Sequence, residues 1–276
     1  ARRKLSGLEA VAAYGVVGFL LLLVLAPHIG LLILSFATVW SFSPLPDAYT
    51  VTHYARVFED SWVYIKNTLV YASIAAGIDV VLGAAIAYLV LRTKLAGRQW
   101  LDWLATASLA VPGVVLGIGY LRTFYNVTLP GGQPLATLWI MIVLALAIRR
   151  VPYALRACFS ALQQISVALE EAAENLGATK GRTVRRIVLP LMMGGVLAGF
   201  VTSFATAAVE LSATLMLVQS NSDAPLAYGV YVYMQSAAGR GAGAALGVVA
   251  VVFVALCSLI SHLLVERSQR SKGLDL

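Results

Sequence analysis

The sequence predicts an all-α protein that crosses a membrane as a bundle of six helices. Three observations carry this. Of 276 residues, 60% are hydrophobic and only 12% charged, with a mean hydropathy of +0.84; a soluble domain carries about 25% charged residues, so the composition is that of a polytopic membrane protein. Six apolar segments can be drawn, roughly Tyr14–Phe36, Leu69–Leu91, Leu104–Phe124, Leu135–Ile148, Met192–Val218 and Gly241–Val265. The cations between them also alternate in density. With the N-terminus inside, sixteen of the twenty Lys and Arg fall on the inner side, leaving only Arg56, Lys66, Arg122 and Arg240 outside. Translocation disfavours outer Lys and Arg, so both termini are expected in the cytoplasm.

The chain begins Ala1-Arg2-Arg3-Lys4, and no A-x-A-like cleavage site follows the first apolar segment. That segment is therefore read as an anchor and not as a cleaved signal. The non-Met start suits a trimmed chain or one half of a longer fused protein. Otherwise residues 1–276 are read as one transmembrane domain, with its core at about 65–265 and a cytoplasmic loop at about 160–190. The outer stretch Thr50–Trp62 places Tyr54, Phe58 and Trp62 at four-residue spacing. Two readings stay open there: an amphipathic helix at the interface, or a loop capped by interface aromatics. The second span, Leu69–Leu91, carries Asp79 near its middle. Leu104–Phe124 is expected as one span, and Pro130-Gly131-Gly132 as a turn. Leu135–Ile148 is too short to cross alone; apolar character resumes beyond Arg149-Arg150, so it is read as a span that meets the inner interface early. Gly113/Gly117, Gly195/Gly199 and Gly243/Gly247 repeat the spacing that lets membrane helices approach closely.

Catalytic chemistry finds no support. His28, His53 and His262 are dispersed, and Cys158 and Cys257 lie far apart in apolar surroundings, so neither a metal site nor a disulfide framework is expected. There is no G-x-S-x-G. Gly177-Ala-Thr-Lys-Gly181-Arg-Thr lacks the spacing of a phosphate-binding loop. No cofactor is expected on this chain, and the scattered cations do not suggest nucleic acid. Two acids lie within apolar segments, Asp79 and Glu210, and an intramembrane carboxylate is a functional candidate by default. Ser203, Thr206, Glu210 and Thr214 follow at three- and four-residue steps, so they share one helix face as a polar stripe. That stripe is read either as lining a translocation route or as interhelical hydrogen bonding; for Asp79 the structural reading is favoured.

The most polar window runs from Leu169 to Pro190. Leu169, Ala172, Ala173 and Leu176 form one apolar stripe of a short helix, with Glu170, Glu171 and Glu174 on its other sides. Gly177 is a natural helix stop, and Thr179 can cap a second short helix bearing Arg182, Arg185 and Arg186. Pro190 marks the entry to the fifth span. A helix this short makes sense if a partner's groove receives it; the alternative is a solvated loop.

Glu171-Ala172-Ala173, Gly177 four residues on, and Ile187-Val188-Leu189-Pro190 reproduce a spaced motif. It resembles the E-A-A-x3-G-x9-I-x-L-P loop of binding-protein-dependent ABC importer permeases of type I (the MetI-like fold). The segments Ala110–Tyr120, Arg149–Arg156 and Glu210–Leu215 are similar to the branch of ferric-iron, 2-aminoethylphosphonate and polyamine permeases. The resemblance implies an inner-membrane permease subunit that hydrolyses nothing itself. It implies that the loop docks on a dimeric ATPase subunit through Glu170, Glu171, Ala172, Ala173, Glu174, Gly177, Ile187, Leu189 and Pro190, with ATP and Mg held by that partner. It further implies a second permease copy or half, an extracytoplasmic binding protein, and a small solute, ferric iron first among them. A rival reading is a secondary transporter driven by protons through Asp79 and Glu210, but the inverted repeat, with broken helices at matching positions, that it requires is not evident in the sequence.

Overall fold

The computed structural model describes residues 6–41, 43–235 and 239–270. The sequence-derived charges at Arg2, Arg3, Lys4 and Lys272, and the side chains of His262, Arg267 and Arg270, lie outside what is described. Described elements are almost entirely helical, with only isolated β-bridges at Ala37–Tyr49 and Thr128–Pro134. The chain divides into two compact units.

The first unit comprises residues up to Ser61 together with Val230–Val249. Helix α1 (Gly7–Phe36) opens with a capping box, in which the Ser6 hydroxyl accepts from Glu9 N–H and the Glu9 carboxylate accepts from Ser6 N–H. Helix α2 (Thr52–Asp60) settles the outer stretch as a helix. Its Val57 is fully buried, while Tyr54 turns inward to hydrogen-bond Ser35 at 2.8 Å, leaving Phe58 exposed. The chain returns to this unit at the end of α12 (Leu226–Met234) and the start of α13 (Arg240–Arg270).

The second unit holds Trp62–Gly229 and the rest of α13. Helix α3 (Trp62–Arg92) is one long helix. The expected single span at Leu104–Phe124 is instead two helices, α4 (Arg98–Ala107) and α5 (Gly113–Phe124), meeting at 106° after a short 3-10 turn. Pro112 explains the break, because it has no N–H to give and its ring pushes Val111 into extended backbone (ψ 121°). Helix α6 (Trp139–Gln163) begins at the short fourth segment but does not stop at Ile148; it runs through Arg149, Arg150 and Pro152. The loop becomes α7 (Val167–Asn175) and α8 (Lys180–Thr183), continued by a π-helical turn (Val184–Val188) and α9 (Leu189–Leu191). Helix α10 (Met193–Ala208) follows after a 66° bend and ends ten residues short of the expected Val218, with α11 (Thr214–Leu217) beyond a break. Among the described residues, helices α1, α3 and α13 are each long and apolar enough to cross a membrane, or up to five spans if each bent pair is one. The fourth apolar segment runs into the 25-residue α6, which is consistent with six spans.

Helix α6 is the centre of the second unit. Ala154 on it is fully buried. A Cβ built on Gly83 of α3 would lie 2.8 Å from Leu155 N and 2.9 Å from Ala154 C, and one on Gly199 of α10 would lie 3.0 Å from Ala154 Cα. Both neighbours are backbone and cannot yield, so the three helices cross at near backbone contact. Around the crossing sit two apolar clusters, one including Tyr71, Ile142, Phe204 and Leu217, the other Leu155, Cys158, Leu162 and Val188. Gly83→Ala is expected to lose about 1–3 kcal/mol by overpacking. Gly119→Ala, where nothing stands within 4 Å, should change stability by less than about 0.5 kcal/mol. Thermal unfolding of the two variants in detergent checks the difference.

Candidate functional site

Two constellations in the second unit carry chemistry: the polar loop at one end of the bundle, and a charge cluster within it.

In the loop, Ser166 caps α7 by accepting from Ala168 N–H at 3.3 Å. At the other end, Ala178 N–H donates to Ala173 O at 3.0 Å and Gly177 N–H to Glu174 O at 2.9 Å. These are the two bonds of a Schellman stop, and they place Gly177 in left-handed backbone (φ +85°), where an L side chain is strained. Thr179 then caps α8 from Arg182 N–H. Leu176 is 90% exposed and Leu169 48%, with Ala172 exposed between them. The apolar stripe therefore looks outward. Glu171 and Glu174 are exposed beside it. Glu170, expected to share their position, instead turns inward: it is buried and accepts from Arg92 Nε at 2.6 Å. The same guanidinium donates to Leu162 O (3.0 Å) and Ile165 O (2.6 Å). Arg92 thus ties the end of α3 to the α6–α7 junction, and Glu170 fixes the base of α7, not its outer surface. Ile187 is half-buried and Leu189 and Pro190 are exposed. Pro190 lies within a continuing, distorted helix and does not open the span, whose straight part starts at Met193. The π turn precedes it, with Leu189 N–H donating to Val184 O.

The second constellation centres on Glu210. Its Oε1 accepts from Arg149 Nη1 at 2.8 Å and from Ala213 N–H at 3.1 Å, and its Oε2 accepts from Arg150 Nη2 at 2.6 Å. Arg150 Nη2 also donates to Thr206 O at 3.0 Å, taking up a carbonyl from the last turn of α10. Ser203 Oγ donates to Arg150 O at 3.1 Å, and Thr214 Oγ1 to Glu210 O at 3.0 Å. The four residues of the expected stripe do converge, but not as one helix face, because α10 ends before Glu210 and Val209–Ala213 is not helical. Glu210 serves both as counter-ion and as acceptor for the N–H of Ala213 at the break. Arg149 reaches it only because Gly113 opens the start of α5; a side chain there would meet the Arg149 guanidinium and Ser212 Cβ. Asp79 is fully buried on α3, with Ser203 and Arg150 in its electrostatic surroundings, and neither carboxylate oxygen has a hydrogen-bond partner among the described residues.

By sequence Glu210 lies within the fifth apolar segment and Arg149-Arg150 at the inner interface. The structure brings them into contact. Arg149 and Arg150 stand eleventh and twelfth in α6, roughly 16 Å along its axis, so they lie mid-helix. The signal was present: an acid inside an apolar segment needs a cation, and Arg149-Arg150 interrupts the apolar run that starts at Leu135.

A family model described as a binding-protein-dependent transport system inner membrane component matches residues 79–272. The putative ferric transport system permease protein FbpB 1 of Haemophilus influenzae is 32% identical over 215 residues, covering 75% of this chain and 33% of that protein. The chain thus spans about a third of the length of this curated relative. The molybdenum transport system permease protein ModB of Escherichia coli K12 is 29% identical over 224 residues, 78% of this chain and 98% of that one. Among solved structures, a bacterial alginate ABC transporter in complex with an alginate-bound periplasmic protein has a chain with a TM-score of 0.69 at 18% identity, covering 94% of each. A chain of the methionine transporter MetNI matches at 0.59 and 16% identity, covering 79% of this chain and 98% of that one. At those identities the structural matches show the fold alone.

Proposed function

Since the chain belongs to the family of binding-protein-dependent transport system inner membrane components, we propose that it is the permease subunit of an ABC importer whose ATP is hydrolysed by a partner subunit. The observation that carries this is α7. A helix of nine residues is too short to hold itself in water. Here its base is pinned by Arg92–Glu170, its end is set by Gly177, and its apolar stripe faces outward. That is a rigid knob offered to a groove. Leu169, Ala172 and Leu176 seat in the ATPase, with Glu171 and Glu174 as polar contacts, and the rigid root carries the motion of the ATPase dimer to α3, α6 and α10. In this reading ATP and Mg are held by the ATPase, an extracytoplasmic binding protein delivers the solute, and a second permease copy or half completes the route. The membrane is the bacterial inner membrane with both termini cytoplasmic, as the distribution of Lys and Arg supports.

Leu176→Asp tests the docking. The side chain is exposed, so the fold is expected to keep its melting temperature within about 0.5 kcal/mol of stability. Co-purification with the ATPase subunit is expected to fail. Retention of the ATPase at wild-type stoichiometry would sink the docking role.

For the solute, the relatives support ferric iron first. One observation favours a second reading, an oxyanion: two guanidinium groups converge on the one carboxylate of Glu210, with Asp79 the further acid in their surroundings. Molybdenum and sulfate permeases are also among the relatives. Uptake of ferric chelate compared with molybdate and sulfate, in cells carrying the whole system, separates the two.

A further inference from the structure

We propose that the elbow between α3 and α4 binds the headgroup phosphate of an anionic phospholipid, with Lys94 and Arg98 as its cations and Trp100 and Trp103 against the lipid's glycerol and upper acyl region. Helix α4 is turned 106° from α5, so the two do not share one axis through the membrane. Its two faces differ. The inner face holds Asp102 and Thr106, both accepting from Arg156 of α6 at 2.8 Å. On the outer face Trp100, Trp103 and Leu104 are 62%, 60% and 66% exposed. They stand at i, i+3 and i+4, and the two indoles meet edge to face with centroids 5.2 Å apart. A cleft of about 230 Å³ opens at the start of this face, walled by Arg98 and both indoles, with Leu95 and Gly97 at the turn.

Charge identifies the occupant. Nearby cations are already spent: Arg92 on Glu170 and Arg156 on Asp102. Lys94 and Arg98 have no anionic partner among the described residues, and Lys94 is exposed. Arg98 therefore stands in the cleft beside the indole pair, at the start of the helix that also carries Leu104, and Lys94 is exposed in the turn four residues before it. Positive charge, amphipathic rings and aliphatic surface thus stand together at this turn, the residue types that a leaflet boundary gathers. A zwitterionic lipid brings its own cation and leaves this surplus unmatched; an acidic lipid neutralises it. An inorganic phosphate ion has the charge but nothing to cover the indoles. The inference stands apart from the transport reading, since it uses neither α7 nor Glu210.

Native mass spectrometry of the detergent-purified protein, titrated with phosphatidylglycerol or phosphatidylcholine of identical acyl chains, tests it. Each cation near a leaflet surface is worth roughly fivefold in affinity, so wild type is expected to prefer phosphatidylglycerol and the K94Q/R98Q variant to lose that preference, while K94R/R98K keeps it. Excess inorganic phosphate is expected not to displace the lipid. A second readout does not depend on the folding of the charge variant: brominated phosphatidylglycerol should quench wild-type tryptophan fluorescence more than brominated phosphatidylcholine, and W100F/W103F should abolish the difference. No preference in wild type, a preference that survives K94Q/R98Q or W100F/W103F, or displacement by free phosphate would each overturn the assignment.

Discussion

Glu210→Gln is expected to destabilise the protein by about 3–5 kcal/mol and to stop transport. This is the cost of removing one partner from a buried ion pair, and here a single acid serves two cations. The carboxylate is 5% exposed and serves two guanidinium groups at once, themselves only 15% and 11% exposed. Glutamine is isosteric and keeps an acceptor for Ala213 N–H, but it leaves two buried cations without a charge partner. Arg149→Gln is expected to be milder, since one arginine and one glutamate remain as a matched pair. The order of melting temperatures in detergent, wild type above Arg149→Gln above Glu210→Gln, checks the charge balance. Wild-type melting in Glu210→Gln would mean that the cluster is neutralised in some other way.

Gly177→Pro is expected to leave the bundle folded and to uncouple it. Proline fixes φ near −65° and has no N–H, whereas the Schellman stop needs φ +85° and a donor to Glu174 O. The left-handed strain and the lost hydrogen bond together cost about 2–3 kcal/mol, or roughly a 30- to 150-fold drop in the population with α7 correctly ended. Gly177→Ala keeps the N–H and bears only the strain, so it should lose several-fold. Neither apolar cluster includes α7, which is why the melting temperature should barely move. Co-purified ATPase and ATP-driven uptake, measured across wild type, Ala and Pro, should fall in that order. An equal loss in both variants would place the defect in packing and not in the turn.

Much of this was legible in the sequence, for identifiable reasons. Gly177 as a helix stop, Thr179 as a cap and the outward apolar stripe of α7 follow from local rules, because neighbours in sequence satisfy them. The six apolar segments follow from composition. What failed was one local break and several non-local contacts. Leu104–Phe124 has the hydropathy of one span, and only the backbone constraint of Pro112 on Val111 splits it. Arg149-Arg150 has the sequence appearance of an interfacial basic pair. Its true position depends on Glu210, sixty residues away, and on Gly113, which makes room. Glu170 looks like Glu171 and Glu174 in sequence; the difference is Arg92 on another helix. Polar residues whose partners are distant are the ones a linear reading places wrongly, because their partners decide whether they face inward.

The competing account drives transport by protons through Asp79 and Glu210. Its most direct separation from the proposed ABC mechanism is solute uptake into proteoliposomes holding the permease, its ATPase subunits and its binding protein. Uptake is expected to require ATP on the ATPase side, to persist when a protonophore collapses the proton gradient, and to vanish when Gly177→Pro replaces the wild-type chain. Uptake that proceeds without ATPase and ATP, and that disappears with the proton gradient, would contradict it.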